Sequence, residues 1–447
     1  VIAARTRQLL EAPIVPTLLR LAAPNMAEAV ARIAFITLDA YFVGWLGSDA
    51  LAGVAVSFPV FILMQTMAAG GMGGGVSSAI ARALGGGRPG DAEALVAHGL
   101  AIGLALAVCF TAGMLAAGGA LYALMGATGR ALEEAVAYSR IVFGGAAAVW
   151  IMNTLASAVR GTGNMVVPAA AIVIGEVVHV ALSPSLIMGW GPLPRLGVMG
   201  AGLAVVGSYA AGGLVLVGYL LSGRGLVRLR WPAGGFRWRL FADILRVGAL
   251  SSVNTLQFQL TGVVLAGLVG RYGTPVLAGY GAATRLEMAQ IPLVFGFGTA
   301  LVAMVGANIG AGQPERARRI AWVGAALGAG ISAAVGAVAA GFAPFWMALF
   351  TAEPAAAQAG VAYLRIVGPS YAFLGMGLAL FFASQGAGRI VWPFLAVTSR
   401  LLVVAAGGWL VVDWFGGEAN ALFALVAASF AAVGLTVFAV VKLRVAW

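Results

Sequence analysis

The chain has 447 residues, 62% of them hydrophobic and 9% charged, with a mean hydropathy of +1.00. A water-soluble protein carries roughly a quarter charged residues, so this composition excludes a soluble globular domain and makes the bilayer the solvent. The net charge of +11 then reads as membrane orientation rather than nucleic-acid binding, the single Cys109 excludes an intrachain disulfide, and two His without a Cys/His cluster give no metal motif.

Apolar runs predict twelve transmembrane helices near 17–45, 50–81, 94–122, 135–159, 165–190, 199–222, 243–270, 276–308, 317–343, 358–384, 390–412 and 419–441, each long enough for a hydrocarbon core of about 30 Å. The first run is too long for the apolar stretch of a signal peptide and reads as an uncleaved helix. Basic residues gather on one side of this arrangement. Arg5, Arg7 and Arg20 lie before or at the start of the first span, Arg82 and Arg88 after the second, and Arg160 after the fourth. Arg224, Arg228, Arg230, Arg237, Arg239 and Arg246 follow the sixth, Arg316, Arg318 and Arg319 the eighth, Arg389 the tenth, and Lys442 and Arg444 close the chain. The other side keeps Arg130, Arg195 and Arg271. The positive-inside bias places both termini in the cytoplasm.

The chain repeats itself at an offset of about 225. Gly44, Gly47 and Leu51-Ala52-Gly53 return as Gly270, Gly273 and Leu277-Ala278-Gly279. Gly85-Gly86-Gly87-Arg88-Pro89 returns as Gly310-Ala311-Gly312-Gln313-Pro314. Tyr138, Arg140 and Val142 return as Tyr363, Arg365 and Val367, and Gly161, Gly163 and Pro168 as Gly386, Gly388 and Pro393. Six spans per half make this a parallel repeat about an axis along the membrane normal, with a cavity between the halves. The predicted architecture is all-α, with an N-lobe over 1–222, a basic cytoplasmic linker over 223–242 and a C-lobe over 243–447. The glycine-rich stretches are turns, since no Lys-Ser/Thr follows them as a phosphate loop requires.

A charge at the centre of a membrane helix costs roughly 2.5–3.5 kcal/mol on insertion scales, so charges inside the spans mark candidate sites. At 100° per residue, Glu28, Arg32 and Asp39 share one stripe of the first span, and Glu28 and Arg32 are spaced to pair. Glu176, His179 and Ser183 share a face of the fifth span. In the second half, Glu287 is the acid well inside a span and a candidate for binding the substrate cation or for coupling, and Asn254 and Gln257, which share a face of the seventh, are candidates for the substrate cavity. Arg140 and Arg365, at equivalent positions, are placed to snorkel. Tyr41, Met64, Met67, Met72, Asn153, Tyr209 and Tyr280, with Phe58, Phe61 and Tyr371, are candidates for an adaptable cavity lining, because Met surfaces suit varied ligands and aromatic faces attract organic cations.

Asp39-Ala-Tyr-Phe-Val43-Gly44 followed by Leu46-Gly47 and Leu51-Ala52 resembles the first-helix signature of the multidrug and toxic compound extrusion (MATE) family. Gly85-Gly-Gly-Arg-Pro, Arg160-Gly-Thr-Gly-Asn164 and Gly197-Val-Met-Gly200-Ala-Gly202 resemble its later landmarks. Arg285-Leu-Glu287 and Val305-Gly306-Ala-Asn308-Ile-Gly310-Ala-Gly312 are similar to its DinF-like branch. The resemblance implies a cation-coupled antiporter of the inner (plasma) membrane that exports amphipathic, cationic compounds. It also implies a monomer with no cofactor, with lipids and small molecules rather than nucleic acid as partners.

By the same resemblance, Asp39 matches the family's first-helix coupling acid, supported by Glu28, Arg32, Glu176, His179 and Ser183, and Pro24 matches a proline near a first-helix bend. The fifth span departs from the family's Asn-x-x-x-Asp-Pro pattern, with His179 and Ser183 at the Asn and Asp positions, so that Glu176 or His179 is left to replace the missing acid. A NorM-like sodium pattern, with acids in the seventh and tenth spans, meets Gln257, Gln259 and Gln385 here, which favours protons over sodium. The alternatives are a sodium-coupled variant and a flippase for lipid-linked oligosaccharides, for which Arg32, Arg285 and Arg400 are candidate phosphate binders. A membrane enzyme is disfavoured, because no nucleophile elbow, acid/base pair or metal cluster appears.

Overall fold

The computed structural model describes residues 4–191, 193–232, 234–414 and 416–444, without the side chains of 33–36. Residues 1–3, 192, 415 and 445–447 of the predicted lobes, and residue 233 of the predicted linker, lie outside the described residues.

A short helix, α1 (Ala4–Glu11), precedes the first span, α2 (Ile14–Gly44). The second span is built from α3 (Ser48–Thr66), a π-helical stretch Met67–Met72 and α4 (Gly73–Gly85). The third is α5 (Pro89–Leu124); the fourth is α6 (Gly129–Gly144) and α7 (Ala146–Gly161), bent by 47°. The fifth and sixth are α8 (Val166–Met188) and α9 (Val198–Leu221). The C-lobe follows with α10 (Trp238–Gly270), α11 (Thr274–Gly310), α12 (Pro314–Gly341) and the short α13 (Ala343–Ala348). Its tenth span joins α14 (Pro354–Val367) to α15 (Tyr371–Ala387) through a 3-10 turn. The eleventh begins as α16 (Val391–Leu402) and continues in π-helical turns to Trp414, and the twelfth is α17 (Ala419–Lys442). Among the described residues ten helices are by themselves long and apolar enough to cross a membrane, and the bent pair makes eleven. The charged α2 completes the twelve, arranged as two six-helix lobes.

The repeat is written into the backbone where helices stop. Gly87 and Gly312 take φ of +67° and +71°, a conformation open to glycine and strained for other residues. Each sits in a turn where the next amide bonds back five residues, Arg88 N to Ala83 O at 2.9 Å and Gln313 N to Asn308 O at 2.8 Å. This is the left-handed glycine ending of a helix, formed twice by the duplicated Gly-x-Gly-x-Pro.

On the side that gathers the basic residues the lobes close on each other through small residues. A Cβ at Gly85 would lie 2.0 Å from Ala307 O, and one at Gly310 would lie 2.1 Å from Arg82 O. The ends of α4 and α11 therefore touch backbone to backbone, as small residues allow between membrane helices. Two basic residues assigned from sequence to loops prove to be buried in last helical turns. Arg82 ends α4 and bonds Asp243 at 2.7 Å and Gly386 O at 3.2 Å, so it joins the lobes. Arg160 ends α7 and pairs with Glu28 at 2.9 Å. Deeper in the seam, Asn25 Nδ2 donates to Gly296 O at 3.1 Å and to Thr299 Oγ1 at 2.7 Å. Gln385 Nε2 donates to Gly70 O and Ser251 Oγ, both at 2.9 Å.

The linker is shorter than predicted. The seventh span begins at Trp238 rather than 243, because Leu240 and Ile244 are buried in the N-lobe core and draw the helix onto it. Asp91 in the first turn of α5 binds Arg237 at 2.9 Å and Arg239 at 2.8 Å, and Arg237 N donates to His98 Nε2 at 2.8 Å.

Candidate functional site

Three cavities adjoin one another outward of the seam. The first, of about 320 Å³, lies in the N-lobe and is lined by Arg32, Asp39, Glu176 and His179, with Phe58, Phe61, Gln65, Tyr138 and Tyr209 among its walls. The second, of about 280 Å³, shares Arg32 and Gln65 and reaches the lobe interface at Asn25, Glu28, Asn153, Arg160, Phe295 and Gln385. The third, of about 290 Å³, lies in the C-lobe and shares Thr66, Ile291, Pro292 and Phe295 with the second.

The two charged faces predicted on the first and fifth spans meet. Asp39 Oδ1 on α2 pairs with His179 Nε2 on α8 at 2.8 Å and accepts from Ser183 Oγ at 3.0 Å. His179 is 5% exposed and Ser183 fully buried, while Asp39 is half-buried beside the cavity. Ser183, where the family pattern expects a second acid, is thus a donor to the first one. Glu176 lines the same cavity about one helical turn from His179.

The first-span stripe nevertheless divides into two groups. Arg32 bonds Glu28 Oε1 at 3.1 Å, not Asp39, and the other oxygen of Glu28 takes Arg160. Seven helical residues separate Arg32 from Asp39 by about 10 Å along the axis, whereas four bring it to Glu28. Asp39, His179 and Ser183 form an outer group; Glu28, Arg32 and Arg160 form an inner one that the sequence reading lacked, because it left Arg160 in a loop. A signal for it exists in the repeat. Arg160 and Gln385 stand at equivalent positions, each just before a repeated Gly-x-Gly turn, and both line the central cavity.

Of the residues proposed for a substrate cavity, Asn153 lines the central cavity, its Nδ2 donating to Val149 O at 2.9 Å. Asn254 lines the C-lobe cavity, and neither of its amide atoms has a partner among the described residues. Gln257 is buried and donates to Thr398 Oγ1 at 2.8 Å. Others lie elsewhere. Met64 is fully buried in the N-lobe core and Met67 packs against it, because that side of the helix turns away from the Phe58, Phe61, Gln65 stripe. Met72 is in the same core. Tyr41 is 61% exposed and packs on Phe42 and Trp45, as an aromatic at a membrane interface does. Tyr280 and Tyr371 are buried in the C-lobe core.

Glu287 lies beside that core, accepting from Tyr363 Oη at 2.5 Å. Thr284, one turn before Glu287, donates instead to Gly281 O of its own helix at 3.2 Å. Arg285 points away and stacks on Phe350 at 5.3 Å, and Arg140 and Arg365 are exposed. The first span runs as one continuous helix through Pro24.

Residues 25–185 and 251–410 match the family model described as MatE, one match in each lobe. The chain is 30% identical over 315 residues to a FAD transporter of Shewanella oneidensis, covering 70% of this chain and 69% of that one. It is 25% identical over 403 residues to a probable multidrug resistance protein NorM of Thermotoga maritima, covering 89% and 86%. A solved structure described as the outward-facing conformation of a multidrug resistance MATE family transporter superposes with a TM-score of 0.91 at 26% identity. That match covers 100% of this chain and 98% of the other.

Proposed function

The chain belongs to the MatE family of multidrug efflux transporters, and from that premise we propose that it is a proton-coupled antiporter of the inner (plasma) membrane. It exports amphipathic, cationic organic compounds by alternating access between its lobes. The observation that carries this reading is the bond of Asp39 to His179 and Ser183 at the wall of the N-lobe cavity. A carboxylate with two side-chain donors ties α2 to α8 while it is charged. Adding a proton removes the charge and weakens both bonds. The same proton raises the net charge of a cavity that also holds Glu176, Arg32 and His179, so an organic cation and the proton compete for it. Competition between two ligands for one state is the exchange that antiport requires. A closed cytoplasmic seam with the cavities outward of it suits the release and proton-loading half of the cycle.

The test is ethidium export from proteoliposomes under an imposed proton gradient or an imposed sodium gradient. Export is expected to follow the proton gradient and to be lost in Asp39→Asn. Export driven by sodium, or surviving in Asp39→Asn, overturns the coupling. Because one relative is named an FAD transporter, FAD is measured in the same vesicles as a second substrate.

A further inference from the structure

The C-lobe cavity differs in polarity from the N-lobe one. Its walls are mostly aromatic and aliphatic, with Phe258, Phe381 and Phe430 among them, and of the described residues that line it Arg400 carries the sole charge. Arg400 stands in the last turn of α16 and is 8% exposed. Its Nε donates to Ser429 Oγ at 3.3 Å, and its guanidinium carbon lies 4.3 Å from the ring centre of Phe430 and 5.7 Å from that of Phe258. The ion pairs formed by the described residues all join other side chains. Glu287, the acid beside the C-lobe core, accepts instead from Tyr363 Oη at 2.5 Å. Asn254, 5% exposed, lines the same cavity with both amide atoms unpartnered among the described residues.

An unpaired guanidinium inside a membrane protein is costly, and stacking on two rings offsets only part of that cost. Charges kept in such places are paired or serve a ligand. The guanidinium fork matches a carboxylate or phosphate in two parallel bonds. Aromatic walls suit a flat apolar body, and a volume near 290 Å³ is at the small end of ligand pockets. We propose that this C-lobe cavity binds anionic aromatic amphiphiles. Arg400 and Asn254 hold the carboxylate or phosphate, and Phe258, Phe381 and Phe430 take the rings. The site goes beyond the export of cations at the N-lobe acids and is independent of proton coupling at Asp39.

The purified protein in phosphatidylcholine nanodiscs is titrated with anthracene-9-carboxylate and with the neutral anthracene-9-carboxamide, following ligand fluorescence. The carboxylate is expected to bind about 10-fold tighter or more, the worth of a charge-assisted bond pair. Arg400→Gln removes that preference and leaves the carboxamide unchanged, whereas Arg400→Lys keeps part of it. Asn254→Leu, which keeps the charge, weakens the carboxylate more than the carboxamide and serves where Arg400→Gln fails to fold by circular dichroism. Equal affinities of the two ligands for the unaltered protein, or an unchanged carboxylate affinity in folded Arg400→Gln, overturns the proposal. Competition by added phosphatidylglycerol supports the site and identifies a lipid headgroup as its anion; carboxylate binding without that competition supports it with a soluble amphiphile. These titrations use no ion gradient, so their outcome is separate from that of the efflux assay.

Discussion

Glu28 and Arg160 are 132 residues apart in the chain and 2.9 Å apart in space. The carboxylate is shared, one oxygen to Arg160 and the other to Arg32, and both Glu28 and Arg160 are nearly buried. Removing the shared partner leaves two cations facing each other at the central cavity. Breaking a buried pair from one side costs about 3–5 kcal/mol, more than replacing both partners. Glu28→Gln is therefore expected to lower the midpoint of thermal unfolding in detergent, and Glu28→Gln with Arg160→Met to recover part of the loss. A double variant no more stable than the single one goes against this account.

The outer group makes a different prediction. In Ser183→Ala, Asp39 keeps its bond to His179 and loses only one hydroxyl donor. In His179→Leu it loses the partner that ties α2 to α8 at the cavity wall. Both bonds end on the carboxylate, and a hydrogen bond to a charged group is worth about 1.5–3 kcal/mol. Ser183→Ala leaves the shorter of the two in place to hold the carboxylate, whereas His179→Leu removes it. Ethidium export is accordingly expected to fall a few-fold in Ser183→Ala and by 10-fold or more in His179→Leu at equal expression. Equal loss in the two variants would assign the coupling geometry to Ser183 instead.

How far this site was legible from sequence follows from the kind of signal each residue gives. Helix periodicity put Glu28, Arg32 and Asp39 on one stripe and Glu176, His179 and Ser183 on one face, and the two meet at the N-lobe cavity through Arg32 and Asp39 on one side and Glu176 and His179 on the other. What periodicity lacks is the axial level at which two helices meet, which decides that Arg32 pairs with Glu28 and Asp39 with His179. Arg82 and Arg160 stand at helix ends, where a buried arginine and a solvated one look alike. Their burial comes from Asp243 and Glu28, carboxylates delivered by distant helices. Met64 shows the opposite error, in which residue type was weighed above position. Phe58, Phe61, Ile62 and Gln65 line the cavity at helical spacing, and Met64 falls about 110° from the centre of that stripe.

The seam predicts how the lobes part. Gly85 is in contact with Ala307 through backbone atoms, and no side chain there is free to yield. A methyl group at that point holds the cytoplasmic ends of α4 and α11 apart and so destabilises the closed seam. In a Cys109→Ser background, a cysteine placed at Ser78 reports the change. Its hydroxyl now bonds Gln385 O at 2.5 Å across the seam. Gly85→Ala is expected to speed labelling of that cysteine from the cytoplasmic side several-fold and to slow ethidium export. Unchanged labelling would mean that the seam adjusts without opening.

The linker supplies the last prediction. Asp91 holds Arg237 and Arg239 while half to more of each arginine side chain remains in solvent, and exposed pairs are worth roughly 0–1 kcal/mol each. The carboxylate itself is better covered, with 14% of its side chain exposed, and its pKa is held below the usual carboxylate range chiefly by the bond from Arg239. A depressed pKa means that the charged form stabilises the folded linker at neutral pH. That contribution is lost as the pH falls through the lowered pKa. Asp91→Asn imposes the same loss at neutral pH, so it is expected to speed tryptic cleavage at Arg228 or Arg230 with little change in thermal midpoint. In the unaltered protein, salt near 1 M is expected to act in the same direction, because screening shortens the reach of exposed charges to about 3 Å. Cleavage at equal rates in both proteins would leave the bond from Arg237 N to His98 as what fastens the linker.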